Sequence, residues 1–397
     1  MHKVPFLIFF SLVLFGCREE IITPKTYPEY YRQIDYTIEH ADYIFNTSPI
    51  AALATDGNQL VLAHQYQFFK GDSEYDVNVT YHSVSTINTA NEIQSVAQEY
   101  RISQYNGSVF TDALYQNGIF HLIGGLEYEH EETFNDSKLY AQYIPAENLV
   151  KANYKFIVSN NKYLRNFVTS ENNVYAIGVE GSQQFSYENV INGGSNNPFN
   201  GITTNVNKIR NFNNTLFVID REGQLYYKTN GAGSWTAMNQ GMDDLFVDVV
   251  EYQGEIIALG ELDINGEINH IVRLNTSANS FSPYLSGKIP YIQNLEYFAN
   301  VNLASSSFNN HNISPRFEVI NGELFIYGSF VTNTVMDEAN ATSESYYFRD
   351  LLMHLEEDEF KILLRTTDAI RDLEYFNEKY YLLATGGGSL LSFQLDK

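Results

Sequence analysis

Apolar residues in this chain come in short runs broken by Gly, Asn or Asp, and no stretch carries an apolar stripe at helical spacing. Runs of that length between turn residues read as β-strands. One unit recurs: an apolar strand, a tight turn, a second apolar strand, then a small residue. It appears as IAALATDGNQLVLA (50–63), DALYQNGIFHLIGG (112–125), RNFVTSENNVYAIG (165–178), KIRNFNNTLFVID (208–220), VDVVEYQGEIIALG (247–260), RFEVINGELFIYG (316–328) and IRDLEYFNEKYYLLATG (370–386). With the turns aligned at Gly57, Gly118, Asn172, Asn214, Gly254, Gly322 and Glu378, the residue six places on is Ala63, Gly124, Gly178, Asp220, Gly260, Gly328 and Ala384. It is small in every unit but the fourth. Asn-Gly and Gln-Gly at several of these turns supply the positive φ that a two-residue hairpin demands.

A second strand pair follows several of the hairpins, as in INHIVRLNTSANSFSPYL (268–285) and DLLMHLEEDEFKILL (350–364). Two hairpins per unit make a four-stranded sheet, and a ring of such sheets is a β-propeller, which leaves only short, protected edges. The expected fold is therefore all-β, a β-propeller over residues 34–397. Seven units predict seven blades; the turns are spaced irregularly, by 40 to 68 residues, so six and eight are the alternatives. A pair of β-sandwiches or a solenoid would also use short, evenly spaced strands. Rings of this kind often complete one sheet from both chain ends, and YTIEHADYIF (36–45) is placed to close on LLSFQL (390–395).

Composition sharpens the partner question. Of 397 residues 48 are acidic and 24 basic, a net charge of −24. Such a surface repels phosphate backbones, which argues against nucleic acid as a partner. It is compatible with Ca²⁺ or a cationic partner, although no motif calls for either, and no cofactor is expected.

The amino end carries its own signal. His2 and Lys3 precede Phe6 to Phe15, apolar apart from Ser11, and then Gly16 and Cys17, the only cysteine. This run is shorter than the roughly 20 residues of a membrane-spanning helix and stands where the h-region of an export signal would. With Leu14, Phe15 and Gly16 before Cys17 it resembles the lipobox of bacterial lipoproteins, Phe15 being bulkier than is usual there. That resemblance implies a signal peptide over 1–16, cleavage after Gly16, and lipidation (diacylglycerol, with a further acyl chain such as palmitate) of Cys17. It also implies a tether over 17–33 that anchors the protein to a membrane. Arg18, Glu19 and Glu20 resemble the acidic tag that directs many Bacteroidota lipoproteins to the outer face of the outer membrane; a plain polar tether, leaving the protein on the periplasmic face, is the alternative. A single cysteine excludes a disulfide within the chain.

Two repeat-family resemblances follow. IFHLIGG (119–125) and VRLNTSANSF (272–281) resemble parts of a kelch blade, with Phe281 where kelch prefers Trp. YYKTNGAGSWTAM (226–238) resembles the Asp-box hairpin of BNR-type propellers, with Asn230 and Ala232 departing from the pattern. In that family the Trp packs into the blade. The functional alternative makes Trp235, with Tyr226 and Tyr227, a ligand-binding set that stacks on a sugar ring.

Catalytic signatures are missing. Sialidases share the Asp-box, but their early Arg-Ile-Pro segment is absent, since Arg101 and Ile102 are followed by Ser103. Glu127, Glu129, His130, Glu131 and Glu132 form the densest set of metal-ligating types, yet alternation along a strand splits them between faces. Asp243, Asp244 and Asp248 fit no calcium-loop spacing and read as surface charge and turn chemistry. The expectation is a surface-exposed outer-membrane lipoprotein that acts, without catalysis, as a protein-binding module of an envelope complex. A glycan-binding protein is the second expectation and a sialidase-like hydrolase the third. The long inserts 66–82, 186–205 and 331–348, rich in Tyr, Asn, Ser and Gly, are where contacts are expected.

Overall fold

A computed structural model describes residues 32, 34–39, 50–64, 84–98, 108–130, 133–152, 163–170, 173–180, 184–189, 201, 206–220, 222–229, 234–289, 292–294, 315–332, 347–366, 370–384 and 389–395. Among these, regular structure is β throughout apart from one 3₁₀ turn at Pro145–Glu147. The strands form seven sheets, antiparallel except where Ala97–Gln98 runs parallel to Leu149–Ala152. The all-β expectation holds, and the arrangement is propeller-like.

Each sequence repeat is the first hairpin of one sheet. The first strands are Ile50–Thr55, Ser108–Gln116, Tyr163–Ser170, Val206–Phe212, Leu245–Tyr252, Arg316–Ile320 and Ile370–Phe376. Their partners are Gln59–His64, Ile119–His130, Asn173–Glu180, Thr215–Asp220, Glu255–Ile264, Glu323–Thr332 and Lys379–Ala384. The turn chemistry explains why these hairpins close. Asn117 and Gly118, Asn213 and Asn214, Gln253 and Gly254, Asn321 and Gly322, and Asn377 and Glu378 all have positive φ at both positions. That is the type I′ turn whose twist matches the flanking strands. Glu378, at φ 64°, is the costly member, because a Cβ crowds the following carbonyl there.

The small residue after each hairpin also has a physical reason. In six sheets the first strand bulges, and in five of them the residue across from the start of the bulge is Gly124, Gly178, Asp220, Gly260 or Ala384, facing Phe110, Leu164, Val206, Phe246 and Ile370. A bulge bends its strand and increases the local twist, and backbone just before the bulge crowds the partner. A Cβ on Gly260 would lie 2.3 Å from the carbonyl oxygen of Leu245. In the first sheet the turn is one residue longer, so the equivalent position is His64, opposite Ile50, rather than Ala63.

The core lies between neighbouring sheets. Phe217, Ile219 and Leu225 of the fourth sheet pack on Phe246, Val249 and Ala258 of the fifth. Leu245 and Ile257 of the fifth pack on Phe317 and Ile326 of the sixth. Ile50, Leu53 and Leu62 of the first pack on Phe376, Tyr381 and Leu383 of the seventh. The first strands lie against one another in chain order, and that of the seventh sheet lies against that of the first. Tyr36–Glu39 pairs antiparallel with Ser389–Phe393, Tyr36 opposite Phe393, and so adds an amino-terminal strand to the last sheet.

Candidate functional site

Strand direction divides the connections into two unequal sets. The described first-to-second strand turns lie at one end and are two or three residues long. The third-to-fourth strand turns share that end and are short as well, as at 89–92, 276–279 and 357–358. At the opposite end, second strands leave for third strands and each sheet passes to the next. There His64 departs for Val84 and Thr332 for Tyr347, whereas Asn189, opposite Tyr175, leaves the third sheet at the short-turn end. The inserts 66–82 and 331–348 leave and rejoin the sheets at this end, and the insert 186–205 rejoins here after leaving at the other; residues 65–83, 190–200, 202–205 and 333–346 lie outside the described residues.

Beneath this end, the first strands carry charges at equivalent places. Six residues before the second turn position stand Asp112, Asn166, Lys208, Asp248, Arg316 and Asp372. Three are aspartates just after a bulge, where the carboxylate can reach backbone. Asp112, Asp248 and Asp372 each accept the N–H of the following residue, at 3.0, 2.9 and 3.1 Å. Asp248 and Asp372 also reach across to the next sheet. Asp248 Oδ2 accepts the N–H of Phe317 at 3.0 Å, and Asp372 Oδ2 that of Leu53 at 2.8 Å. Asp350, on the third strand of the sixth sheet, adds another such link by accepting the N–H of Ile370 at 2.7 Å.

Cations complete the network. Arg210 grips Asp248 through Nε at 2.9 Å and Nη2 at 2.7 Å, and Lys208 Nζ lies 3.0 Å from Oδ2. Arg210 also approaches Glu318, whose other oxygen accepts the Tyr327 hydroxyl at 2.6 Å. Arg316 faces Asp372 at 3.6 Å. Burial alone would favour a neutral Asp248, but Arg210 and Lys208 hold its carboxyl well below the usual carboxylate range. Burial pushes Lys208 down to about 8 despite Asp248.

The other half of the network behaves differently. Burial raises Asp372 to about 7, Arg316 opposing and Glu318 and Asp112 adding to the rise. Glu374, two residues along the strand, is pushed well above the carboxylate range by burial and then by Asp372, Glu318 and Asp112. The inner strands thus hold one fixed ion cluster around Asp248 and one proton-holding acidic cluster around Asp372. Both are tied into the packing of the sheets, Asp248 and Asp372 by backbone N–H groups and cations and Glu318 by Arg210 and the Tyr327 hydroxyl.

The residues singled out from sequence fall in several places. Cys17, Glu131, Glu132 and Asn230 to Gly233 lie outside the described residues; Glu127, Glu129 and His130 have their backbone in the second strand of the second sheet. Tyr226 and Tyr227 point to opposite faces. Tyr227 is buried between the fourth and fifth sheets and donates its hydroxyl to the Thr276 carbonyl at 2.8 Å. Trp235 and Tyr226 are partly buried on the other face, against Tyr175, Ile209 and Leu216, with the Lys228 ammonium 5.7 Å from the Trp235 ring. The structure brings Tyr226 and Trp235 together and separates Tyr227 from them. Phe281 meets Phe246 edge-on at 5.7 Å.

The three aspartates split as well. Asp243 is exposed. Asp244 does turn chemistry, accepting the N–H groups of Gly241 and Asp263, both at 2.7 Å. Reading Asp248 as surface charge is corrected: it is fully buried, because Arg210 and Lys208 compensate its charge. Among the described residues, no group of three His, Cys, Asp or Glu could hold a metal ion, and no helix is long and apolar enough to cross a membrane. Sequence reasoning missed Arg210, Arg316, Glu318, Tyr327, Asp372 and Glu374. For Arg316 and Asp372 a partial signal was present, a charge six residues before the second turn position.

No family model matches the chain, and no curated protein matches it. Among solved structures, it is similar to a chain in the crystal structure of the mitotic checkpoint complex, with 8% identity and a TM-score of 0.48 over 88% of this chain and 90% of that one. It is also similar to the computationally designed Ika8 protein, with 7% identity and a TM-score of 0.43 over 88% of this chain and 97% of that one.

Proposed function

We propose that this chain is a lipid-anchored protein of the outer membrane, facing the cell surface. In this reading its seven sheets are the blades of one closed propeller that binds a protein partner without catalysis. The contact order of the first strands and the pairing of Tyr36–Glu39 with the last sheet support closure. The lipobox-like residues ending at Cys17 and the following Arg18, Glu19 and Glu20 support the anchor and its address.

The observation that carries the binding role is the inequality of the two ends. Five of the described first hairpins at one end close on I′ turns, whereas the connections 65–83 and 333–346 leave and rejoin at the other, on a scaffold cross-tied by Asp248, Asp350 and Asp372. Binding loops placed on a rigid frame are how such scaffolds recognise partners. Purification of the lipid-anchored protein from native membranes should recover a stoichiometric envelope partner, and replacing 66–82 or 333–346 by a short Gly-Ser linker should release it. Recovery of the protein alone would sink this reading.

A glycan ligand is the second reading, favoured by the partly exposed ring of Trp235 beside Tyr226. Trp235→Ala should then abolish retention on a glycan array while the folded state persists. Loss of fold without any glycan signal in the parent protein points instead to a packing role.

A further inference from the structure

Resting on the protein-binding reading, the geometry points to a preformed docking patch on the fifth sheet, built from Met242, Ile268 and Leu285, for a protein segment whose large apolar side chains are bracketed by Lys or Arg. Five large hydrophobic side chains are exposed among the described residues, and these are three of them. All three lie at the loop-bearing end of a single sheet. Met242 sits in the turn that leads into Leu245–Tyr252, Ile268 begins the strand Glu267–Asn275, and Leu285 follows the strand Ser280–Pro283.

Bonds join these positions. Asp244 accepts the N–H groups of Gly241 and Asp263, fixing the Met242 turn to the second strand. Ile268 is the cross-strand partner of Asp263. On its other side, the Gly287 carbonyl accepts the His270 N–H at 2.6 Å and the Lys288 ammonium meets Glu267 at 3.0 Å. Leu285 itself has a φ of 53°, in a turn closed by the Gly287 N–H donating to the Tyr284 carbonyl at 2.8 Å. Leucine rarely adopts that conformation, and surrounding structure must enforce it. The result holds a bare apolar side chain in place before any partner arrives, which lowers the ordering cost of binding.

Charge selects the occupant. Exposed Asp243 follows Met242 in sequence, exposed Glu267 precedes Ile268 and exposed Asp263 stands across from it, while the Lys288 ammonium is matched by Glu267. An acidic segment would meet repulsion here, whereas flanking Lys or Arg would be attracted. Three rim side chains make a small interface, so the contact should be transient, with a dissociation constant on the order of micromolar.

Selection of a random twelve-residue peptide library on the full mature chain tests this. Enriched peptides should hold two or more large apolar residues flanked by Lys or Arg, and their binding should weaken at least tenfold with Met242→Ser, Ile268→Ser or Leu285→Asn. Asn tolerates the left-handed turn, so Leu285→Asn keeps the fold, checked by an unchanged urea midpoint. Acidic or charge-neutral consensus peptides, binding indifferent to the three changes, or absence of enrichment would overturn the proposal. So would phosphatidylcholine vesicles bound in preference to the peptides, an outcome assigning the patch to a lipid surface. If the native-membrane partner still co-purifies with the triple variant, the patch is wrong and the binding role stands; if nothing co-purifies with the parent protein, the binding role itself fails.

Discussion

The carboxylate of Asp372 accepts the backbone N–H of Leu53 at 2.8 Å, joining the first strand of the last sheet to the first strand of the first across 319 positions of sequence. Leu53 is buried, so this N–H has no recourse to water. Asp372→Ala should therefore cost about 1–3 kcal/mol, the penalty of a buried donor left unsatisfied. Asp248→Ala should cost more, about 3–5 kcal/mol, because it strands Lys208 and Arg210 as well as the Phe317 N–H. Urea unfolding gives both values, and hydrogen exchange at Leu53 should accelerate in Asp372→Ala.

Two buried groups, Asp372 of the inner network and His270 on the third strand of the fifth sheet, respond oppositely to pH. Asp372 has its carboxyl raised to about 7 by burial, so its folded form favours the proton; the stability this contributes is complete below about 4 and is lost as pH rises through 7. His270 runs the other way: burial and then Lys288 lower it to about 4, so its contribution to stability grows as pH rises toward 6.5. Because the two overlap, the informative quantity is the stability of the parent minus that of Asp372→Asn, which cannot titrate. That difference should fall between about pH 4 and pH 7, with a slope of up to about 1.4 kcal/mol per unit, and level off above. The groups facing Asp372 are Arg316, Glu318, Asp112 and Glu374. A flat difference would assign the proton to Glu374 instead.

Turn chemistry makes a prediction of the opposite sign. Glu378 is a non-glycine residue at the second position of a I′ turn, with φ 64°. Glu378→Gly should stabilise the protein by about 0.5–1 kcal/mol, the relief of left-handed strain exceeding the added chain entropy. Gly260→Val should do the reverse, because the Leu245 carbonyl occupies the place of a Cβ. Thermal midpoints of the two variants should move apart.

Lipidation can be checked without reference to the fold. Cys17→Ser should abolish incorporation of labelled palmitate and shift the protein from the membrane pellet to the soluble fraction. Unchanged sedimentation would contradict the proposed anchor.

Hairpins were legible in the sequence because I′ turns need residues that tolerate positive φ, and Asn117, Gly118, Gly254 and Gly322 announce them. The small residues Gly124, Gly178 and Gly260 were legible as a pattern, but their cause was not. A bulge in the opposing strand leaves no mark of its own and emerges only from the register. The same bulge hides the inner charges. Asp372 reads as an ordinary polar interruption until the bulge turns its carboxylate toward Leu53 in a sheet 319 residues away. Asp248 was misread because pairing with cations from another sheet cannot be seen in a local window. Tyr226 and Tyr227 show the limit for the candidate ligand set: adjacent residues on a strand face opposite ways, so only Tyr226 could join Trp235.

The central claim, that the loop-bearing end is the binding face, is tested most directly by positional cross-linking in native membranes. Photoreactive residues placed at Met242 and Ser286 on one end, and at Asn321 and Glu357 on the other, should give one discrete cross-linked partner from the first pair and none from the second. Cross-links from Asn321 or Glu357, with Met242 and Ser286 silent, would contradict the account.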